Sequence, residues 1–249
     1  MRISVTVITK NEEHNIARCL GSVPFADEII VVDCGSADRT VEAAQRFTDR
    51  IIFHEWAGHV RQKQFAVEQA AHDWIFSLDA DEEVSPELAQ ALERLKTTEP
   101  AADAYTVKRR VFYLGKWIKH SGWYPDRRIR LFNRRRAHWG GIDPHDEVRC
   151  AGPVGRLEAD LLHYSYRDLA HHLAVINNYT TIMADRYAEK GRRATWLDLL
   201  FRPPFAFLKK FVLQAGFLDG WHGLLICALT AYYVFAKYAK LWEKGRGGR

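Results

Sequence analysis

Cysteine is scarce in this sequence, and no two cysteines are placed to form a metal-binding or disulfide motif. The 249 residues include four cysteines, all far apart and outside any C-x-x-C pair or His/Cys cluster: Cys19, Cys34, Cys150 and Cys227. Structural zinc sites and disulfide-stapled folds depend on such clustering. The sequence therefore excludes both classes and favours a reducing, cytoplasmic setting.

Glycine is missing from the turn where a nucleotide-binding loop would need it. The first predicted strand, Ile3 to Thr9, runs directly into Lys10-Asn11-Glu12-Glu13. In G-x-G-x-x-G and P-loop motifs, glycines allow backbone N–H groups to approach a phosphate closely. Both motifs are excluded here, so a nucleotide diphosphate, if this fold binds one, would have to be held by a metal ion instead.

Long apolar runs are also lacking. The longest, Gly223 to Ala236, has roughly 14 residues against the about 20 that span a bilayer, and the N-terminal run is too short for a signal peptide. We expect the stretch from Trp196 to Tyr238 to form amphipathic helices that lie in a membrane interface, with a true span or a core or dimer helix as alternatives. The side chains placed to meet anionic headgroups and the membrane boundary are Lys209, Lys210, Lys237, Lys240, Lys244, Trp196, Trp221 and Trp242.

The remaining composition is that of a globular protein, with 47% hydrophobic and 27% charged residues and a net charge of +5 that implies anionic partners. Continuous apolar runs alternate with helical patterns, which is typical of a parallel sheet covered by helices on both faces. The predicted strands are Ile3 to Thr9, Glu28 to Asp33, Arg50 to Trp56 and Trp74 to Leu78. The sequence therefore predicts an α/β fold.

Three polar residues close or directly follow these strands: Thr9, Asp33 and Asp79. Ligands of open parallel sheets bind outside the carboxyl ends of the strands, so the three side chains should face one crevice. Asp79 and Asp81 are spaced i, i+2, which points both carboxylates to the same side, and two such groups suit Mg²⁺ or Mn²⁺. A competing interpretation is that the acids from Asp81 onward decorate the start of a helix that opens at Ser85, but it leaves Asp79 unexplained.

Three motifs occur in order around these strand ends: Val7 to Glu13, Ile30 to Thr40 and Phe76 to Glu82. In this order and spacing they resemble the family 2 nucleotide-sugar glycosyltransferases. Later segments resemble the subgroup that builds the lipopolysaccharide core: Ser121 to Asp126, Arg130 to Arg134 and Gly216 to Gly220. The resemblance implies a Rossmann-like glycosyltransferase A-type sheet, followed by an acceptor segment and C-terminal amphipathic helices, and an inverting, metal-dependent transfer.

The resemblance also implies roles for individual residues. Thr9 and Glu12 flank the nucleotide, and Asp33 binds the base or ribose. Asp79 and Asp81 form a D-x-D element, in which Asp81 is the direct metal ligand. The implied cofactor is Mg²⁺ or Mn²⁺.

Four more residues are candidates for donor or metal binding. Lys63 lies near the start of a predicted helix whose N-terminus and cations could face the donor phosphates. Cations interleaved with aromatic side chains fill residues 108–136, and Arg128 and Arg130 share one strand face there. His163 follows an apolar strand and is either a further metal ligand or a core histidine. The alternative interpretation for Lys63, Arg128 and Arg130 is that they lie on a solvated surface and bind no ligand.

An inverting transfer needs a carboxylate that takes the proton from the acceptor hydroxyl. Asp146 is the first candidate, because it follows a histidine as an acid does in the resembling family, although that acid is usually Glu there. Glu147 is the second candidate, and a structural role for both is the third interpretation.

The expected division of the chain is a nucleotide-sugar-binding half at 1–100, an acceptor-binding and catalytic half of the same domain at 101–166, and a helical, membrane-associating region at 167–249. The expected activity is transfer of a hexose, with glucose from a UDP-sugar favoured, to a lipopolysaccharide core or related glycolipid. We expect a peripheral protein on the inner face of the cytoplasmic membrane, with the C-terminal helices available for oligomerisation. The rivals are a polyprenyl-phosphate glycosyltransferase and, outside enzymes, a nucleic-acid binder that uses the basic patch; we expect no nucleic-acid partner.

Overall fold

The structure is a computed structural model that describes residues 1–143 and 145–246. It divides into two compact units. The first contains Met1–Arg109 and Asp126–His163, and the second contains Arg110–Pro125 and Tyr164–Arg249. Each unit is built from chain segments that are distant in sequence.

The first unit begins with alternating strands and helices, which confirms the predicted βαβαβαβ order. The elements are β1 (Ile3–Thr9), α1 (Ile16–Gly21), β2 (Glu28–Asp33), α2 (Thr40–Ala44), β3 (Ile51–Phe53), α3 (His59–Glu68), β4 (Trp74–Asp79), β5 (Glu82–Val84) and α4 (Pro86–Lys96). Strands β3, β2, β1 and β4 are neighbours in that order and all parallel. The third strand is shorter than its apolar pattern predicts.

The sheet then continues with antiparallel strands. They are β6 (Ala104–Tyr113), β7 (Lys116–Trp117), β8 (Asp126–Asn133), β9 (Ala137–Ile142), β10 (His145–Cys150) and β11 (Val154–His163). The main sheet has the order β3-β2-β1-β4-β8-β6-β11-β5, with β7 paired to β6, while β9 and β10 form a separate two-stranded sheet.

Apolar residues of the parallel strands are buried on both faces of the sheet. Along β2, Val31 packs into one core cluster, and its neighbours Ile30 and Val32 pack into another. All three are fully buried. A strand that is covered on both sides reads as a continuous apolar run, which is why the sequence revealed it.

Strand register places the polar strand ends at one edge. Thr9 pairs with Asp33, and Ile8 pairs with Asp79, so Asp33 and Asp79 lie on either side of β1 at its carboxyl end. At the other side of the sheet, β5 pairs antiparallel with β11, and this register sets His163 opposite Glu82.

The second unit is mostly helical. It contains α5 (Leu169–Glu189), α6 (Trp196–Leu208), a π-helical turn (Lys209–Leu213), a 3₁₀ helix (Gly216–Asp219) and α7 (Trp221–Arg246). Among the described residues, α7 is the one helix long and apolar enough to cross a membrane, which by itself is weak support for a span.

Two of the later motifs meet inside this unit and have a structural role there. Asp219 is 3% exposed, and its carboxylate accepts the backbone N–H groups of Lys119, at 3.3 Å, and His120, at 2.8 Å. The backbone of Ser121, with φ of 60°, is held by Lys210, whose ammonium donates to its carbonyl at 2.8 Å. The segment before Asp126 is therefore fixed by the helical region.

Candidate active site

The first two motifs form one structure, because their loops are joined by hydrogen bonds. The Asn11 backbone N–H donates to the Ser36 hydroxyl at 2.9 Å, and the Asn11 side-chain oxygen accepts the N–H of Ala37 at 2.8 Å. Glu12 N–H donates to the Thr40 hydroxyl at 2.7 Å. Asn11 has a φ of 55°, a left-handed conformation that asparagine tolerates. These contacts hold residues 11 to 13 in a loop, so helix α1 does not start until Ile16, and the loop keeps its shape without glycine.

Thr9 and Asp33 lie at the base of these loops, at 4% and 5% exposure. The Asp33 carboxylate accepts the N–H groups of Gly35 and Ser36, at 2.8 and 2.9 Å, and the Ser36 hydroxyl at 2.5 Å. The Thr9 hydroxyl is buried with no hydrogen-bond partner in the described part of the chain. Asp33 thus shapes the loop after β2, while Thr9 retains an unused polar group.

A cavity of about 390 Å³ lies beside Asp33. Its lining residues are Asp33, Val41, Gln45, Asp49, Ile51 and Phe53. Asp79 is not among them, so this cavity adjoins the sheet edge on the β3 side of Asp33.

The centre of the site is a pair of carboxylates that share one lysine. The Lys63 Nζ lies 2.7 Å from Asp79 Oδ1 and 2.7 Å from Asp146 Oδ2, and it sits 4.7 Å above the Trp139 ring. Lys63 is only 4% exposed. It comes from α3, Asp79 from β4 and Asp146 from β10, so three separate elements meet at this ammonium group.

The two candidate bases point in different directions. Asp146 and Glu147 are consecutive on β10, and consecutive strand residues face opposite sides. The Asp146 side chain is 17% exposed and contacts Lys63, whereas that of Glu147 is 58% exposed and pairs with Arg149 at 3.3 Å. The structure brings Asp146 to the Asp79 cluster and leaves Glu147 outside it.

Arg130 anchors the other side of Asp79. Its guanidinium lies 2.8 Å from Asp79 Oδ2 and also pairs with Glu82, which is fully buried. Burial alone would raise the pKa of Asp79, but Lys63 and Arg130 outweigh it and hold that pKa well below its usual range. Burial opposes the charge of Arg130 too, yet Glu82 and Asp79 hold its pKa above the ordinary value. Asp79 and Arg130 therefore remain ionised together.

Arg128 does not join this cluster, although strand alternation predicted one shared face for it and Arg130, because the register between β6 and β8 shifts at Arg130, which lies between the paired residues Ile129 and Leu131. It is 48% exposed and contacts Asp126 at 3.0 Å. Asp126 also binds Arg109 at 2.6 Å, and Arg109 reaches Glu82 at 3.8 Å. Opposite charges thus alternate from Arg128 through the Arg130 and Lys63 pairs to Asp146.

Asp81 and His163 form a second pair. Asp81 Oδ2 lies 3.1 Å from His163 Nε2, a contact that follows from the register between β5 and β11. Burial would raise the pKa of Asp81, but the charge and hydrogen bond of His163 lower it. A carboxylate oxygen and an imidazole nitrogen are ligands that Mn²⁺ accepts. These two residues fit a divalent cation.

Asp79 fits such an ion less well as a direct ligand, because each of its oxygens already contacts a cation. Among the described residues no group of three or more His, Cys, Asp or Glu is arranged to hold a metal. A site with two protein ligands is typical of ions that also bind substrate phosphates.

Sequence reasoning missed Glu82 and Trp139 as parts of the site. Glu82 lies just after the D-x-D element, but its burial depends on β11, which is distant in sequence. It also accepts the Asp79 backbone N–H at 3.0 Å. Trp139 faces Lys63 from β9 and gives no sequence signal beyond being a tryptophan in a basic, aromatic region.

Comparison with solved structures defines the class of fold. A mannosyltransferase from Pyrobaculum calidifontis, solved with GDP-Man and Mn²⁺, matches 98% of this chain and 88% of its own at a TM-score of 0.57 and 14% identity. TarS 1-349 from S. aureus, solved with UDP, matches 100% of this chain and 92% of its own at a TM-score of 0.50 and 14% identity. The expected glycosyltransferase A-type fold is confirmed.

Sequence comparison then gives the family. The model of glycosyl transferase family 2 matches residues 4–157, more than half of the chain, and this protein belongs to that family. It is similar to the lipopolysaccharide core biosynthesis glycosyltransferase LpsC of Rhizobium meliloti, at 29% identity over 97% of this chain and 92% of the relative. It is also similar to an uncharacterized glycosyltransferase of Rickettsia typhi, at 31% identity over 97% and 87%. The protein is a glycosyltransferase, as its motifs predicted.

Proposed function

We propose that this protein is an inverting, divalent-metal-dependent hexosyltransferase that uses a nucleotide sugar, with a UDP-sugar and glucose favoured, and a lipopolysaccharide core or related glycolipid as acceptor. The observation that carries the proposal is the shared lysine, because it sets Asp146 beside Asp79 at the carboxyl edge of the parallel strands. A general base and an acidic donor site belong together in this chemistry. The similarity to LpsC supports the class of acceptor.

The donor lies, in this proposal, along the edge from Asp33 to Asp81. Thr9 offers its buried hydroxyl, the loop after Asp33 offers backbone groups to the base or ribose, and Glu12 supports that loop from its neighbour. Asp81 and His163 would hold Mg²⁺ or Mn²⁺. When bound, the cation neutralises charge that develops on the diphosphate leaving group.

Asp146 then serves the acceptor. Its carboxylate takes the proton from the acceptor hydroxyl while the hydroxyl oxygen bonds to the anomeric carbon. The bond from that carbon to the diphosphate oxygen breaks, the nucleoside diphosphate leaves with the electron pair, and the configuration inverts. Lys63 positions Asp146 by holding one of its two oxygens. Arg130 keeps Asp79 ionised next to it.

The basic patch of residues 108–136 supports nucleic-acid binding less in the folded protein than in the sequence alone. Acids from elsewhere in the chain neutralise much of it: Glu158 contacts Lys108 at 3.4 Å and Arg127 at 2.6 Å, and Asp73 contacts Arg135 at 2.9 Å. A surface neutralised in this way has little charge left to release counterions from a phosphate backbone.

The test is a product analysis. The purified protein is given UDP-glucose, UDP-galactose, UDP-GlcNAc or GDP-mannose with Mn²⁺ or Mg²⁺, and either a truncated lipopolysaccharide core glycolipid or a polyprenyl phosphate. We expect a β-linked sugar on the core hydroxyl from an α-linked donor, read by NMR. Transfer to the polyprenyl phosphate alone would move the protein to the rival class, because that acceptor has no hydroxyl proton to remove. Retention of configuration would contradict the proposed mechanism.

A further inference from the structure

The helical unit exposes a continuous apolar stripe. Along α6 and the π-helical turn, apolar side chains recur at intervals of three or four residues and are all exposed: Leu197 46%, Phe201 60%, Phe205 66%, Leu208 54% and Val212 55%. Positions spaced in this way lie on one side of a helix. In a helix of a globular protein that side normally faces the core, but here it faces outward.

The stripe is extended at the end of the turn by Leu213, which is 77% exposed. Contiguous apolar patches on monomeric proteins are rarely larger than roughly 300–600 Å², and larger ones mark interaction sites. Six adjacent side chains of this size, each about half exposed or more, reach that range. The stripe is therefore a surface that binds something.

The charges around the stripe are positive. Arg192 and Arg193 precede α6, Lys209 lies within the stripe's own helix, and all three are exposed. The two acids of this region are engaged internally: Asp198 caps α6 and pairs with Arg202, and Asp219 is buried. A cationic border around an apolar surface complements a bilayer with anionic headgroups.

The positions of tryptophan favour the same occupant. Trp196 and Trp221, at the beginning and end of this region, are 66% and 73% exposed, and tryptophan prefers the boundary between lipid and water. A second copy of the chain fits less well. In a two-fold dimer the same patch faces itself, which would bring one cationic border against another.

Helix α7 is less suited to be the lipid contact, although it is long and apolar enough to cross a membrane. Two of its lysines are occupied: Lys240 donates to Asn177 and Thr180 at 2.6 to 2.9 Å, and Lys244 contacts Asp185 at 2.6 Å. Their partners all lie on α5. This face of α7 therefore packs against α5 inside the unit.

We propose that the stripe of α6 and the π-helical turn is a bilayer-docking surface for anionic phospholipid. The helix lies flat, with its phenylalanines and leucines below the headgroups and the arginines and lysine at phosphate level. This inference rests on the proposed function and extends it, because an enzyme with a glycolipid acceptor works at a membrane. Its measurement needs neither donor nor acceptor.

The experiment measures binding of the full chain to vesicles of phosphatidylcholine alone or with about one third phosphatidylglycerol. One variant carries Phe201→Ser and Phe205→Ser, and a matched control carries Tyr232→Ser and Phe235→Ser on α7, where the two residues are 49% and 46% exposed. We expect the α6 variant to lose at least about tenfold in partition to anionic vesicles, because two buried aromatic rings contribute more than one decade. The α7 control should stay within about twofold of the original protein, since its residues lie outside the docking surface.

Three results would overturn the inference. The original chain could fail to bind both kinds of vesicle. The α7 control could lose binding while the α6 variant keeps it. Light scattering could show a dimer that the α6 variant turns into a monomer, without vesicle binding, which makes a second copy the occupant. Nucleoside diphosphate binding and circular dichroism of both variants show that they are folded, and they separate this result from a failure of the proposed transfer reaction.

Discussion

The two units depart from ordinary burial in opposite ways. The first unit hides charge: Glu82 is fully buried, Arg130 is 3% exposed and Lys63 is 4% exposed. The second unit displays apolar side chains, with Phe205 66% and Leu213 77% exposed. Charged residues are rarely buried unless paired, and large exposed apolar patches are rare on monomers.

Neither departure is explained by stability. A buried ion pair gains little over an apolar replacement, because desolvation of the charges offsets their attraction. An exposed apolar stripe adds nothing to folding. The proposed ligands account for both departures: phosphates, a metal ion and sugar hydroxyls for the first unit, and lipid for the second.

The largest expected effect is at the proposed base. Asp146→Asn should lower kcat by about 10² to 10⁴ with little change in nucleotide-sugar affinity, because general-base catalysis is lost while the donor site remains. Steady-state kinetics with the glycolipid acceptor measures it. Glu147→Gln should have the smaller effect of the two. Glu158→Gln, an exposed carboxylate of the same unit, is the matched control. A larger loss in Glu147→Gln would make that residue the base instead.

The next prediction compares the loss of stability on removal of a buried arginine with that on removal of an exposed one. Arg130→Met should lower the free energy of unfolding by about 3–5 kcal/mol, because Arg109, at 3.8 Å, is then the remaining cation that pairs with the buried Glu82 among the described residues. Arg128→Met, two residues along the same strand and 48% exposed, should cost less than about 1 kcal/mol. Urea denaturation compares them. Equal losses would mean that the buried cluster contributes no more than a surface pair.

A third effect lies inside the helical unit and depends on pH. His172 is 5% exposed, shares a hydrogen bond of 2.8 Å with the Tyr113 hydroxyl and stacks on Tyr166. Burial lowers the pKa of His172 to about 4, with a smaller contribution from His171. The unfolded chain has the ordinary value near 6.5, so between these values it binds the proton more readily than the folded protein does.

Stability should therefore be complete above pH 6.5 and fall by up to about 3 kcal/mol as the pH drops to 4. His172→Gln should flatten that slope in urea titrations at several pH values, while the exposed His14→Gln should leave it intact. A slope that survives His172→Gln would place the acid sensitivity elsewhere.

The smallest effect concerns the exposed stripe in the absence of lipid. Phe201→Ser should change the free energy of unfolding by less than about 0.5 kcal/mol, because the side chain is 60% exposed. Ile226→Ala, at a fully buried position of α7, should cost about 2–5 kcal/mol. Thermal unfolding in detergent-free buffer distinguishes the two. A comparable loss in both would mean that the stripe packs within the fold.

The parallel half of the fold could be predicted because its signals are local. Apolar runs such as Ile29 to Val32 ended in acids at the carboxyl edge, and three motifs together pointed to the family, which the comparisons confirm. The boundary of α1 could not be predicted in the same way. Its start depends on Asn11 binding a loop contributed by the second motif.

The partners of the site residues depended on distant chain segments. Glu82 resembled an acid at a helix start, yet it begins a strand that β11 pairs with. The basic region from residue 108 to 136 contains a single acid, Asp126, and the other acids that neutralise part of it, Glu158 and Asp73, lie outside that stretch. Lys63 offered only a helix position, and its two carboxylates come from different strands.

The proposed function depends on a divalent cation that Asp81 and its neighbours would hold against a nucleotide sugar. The most direct measurement is turnover of the preferred donor with Mn²⁺ or Mg²⁺, before and after chelation, in the original protein and in Asp81→Asn. We predict that turnover disappears on chelation, returns when the ion is restored, and is absent from Asp81→Asn at every ion concentration. Turnover at the original rate in the chelated protein and in Asp81→Asn would contradict the account.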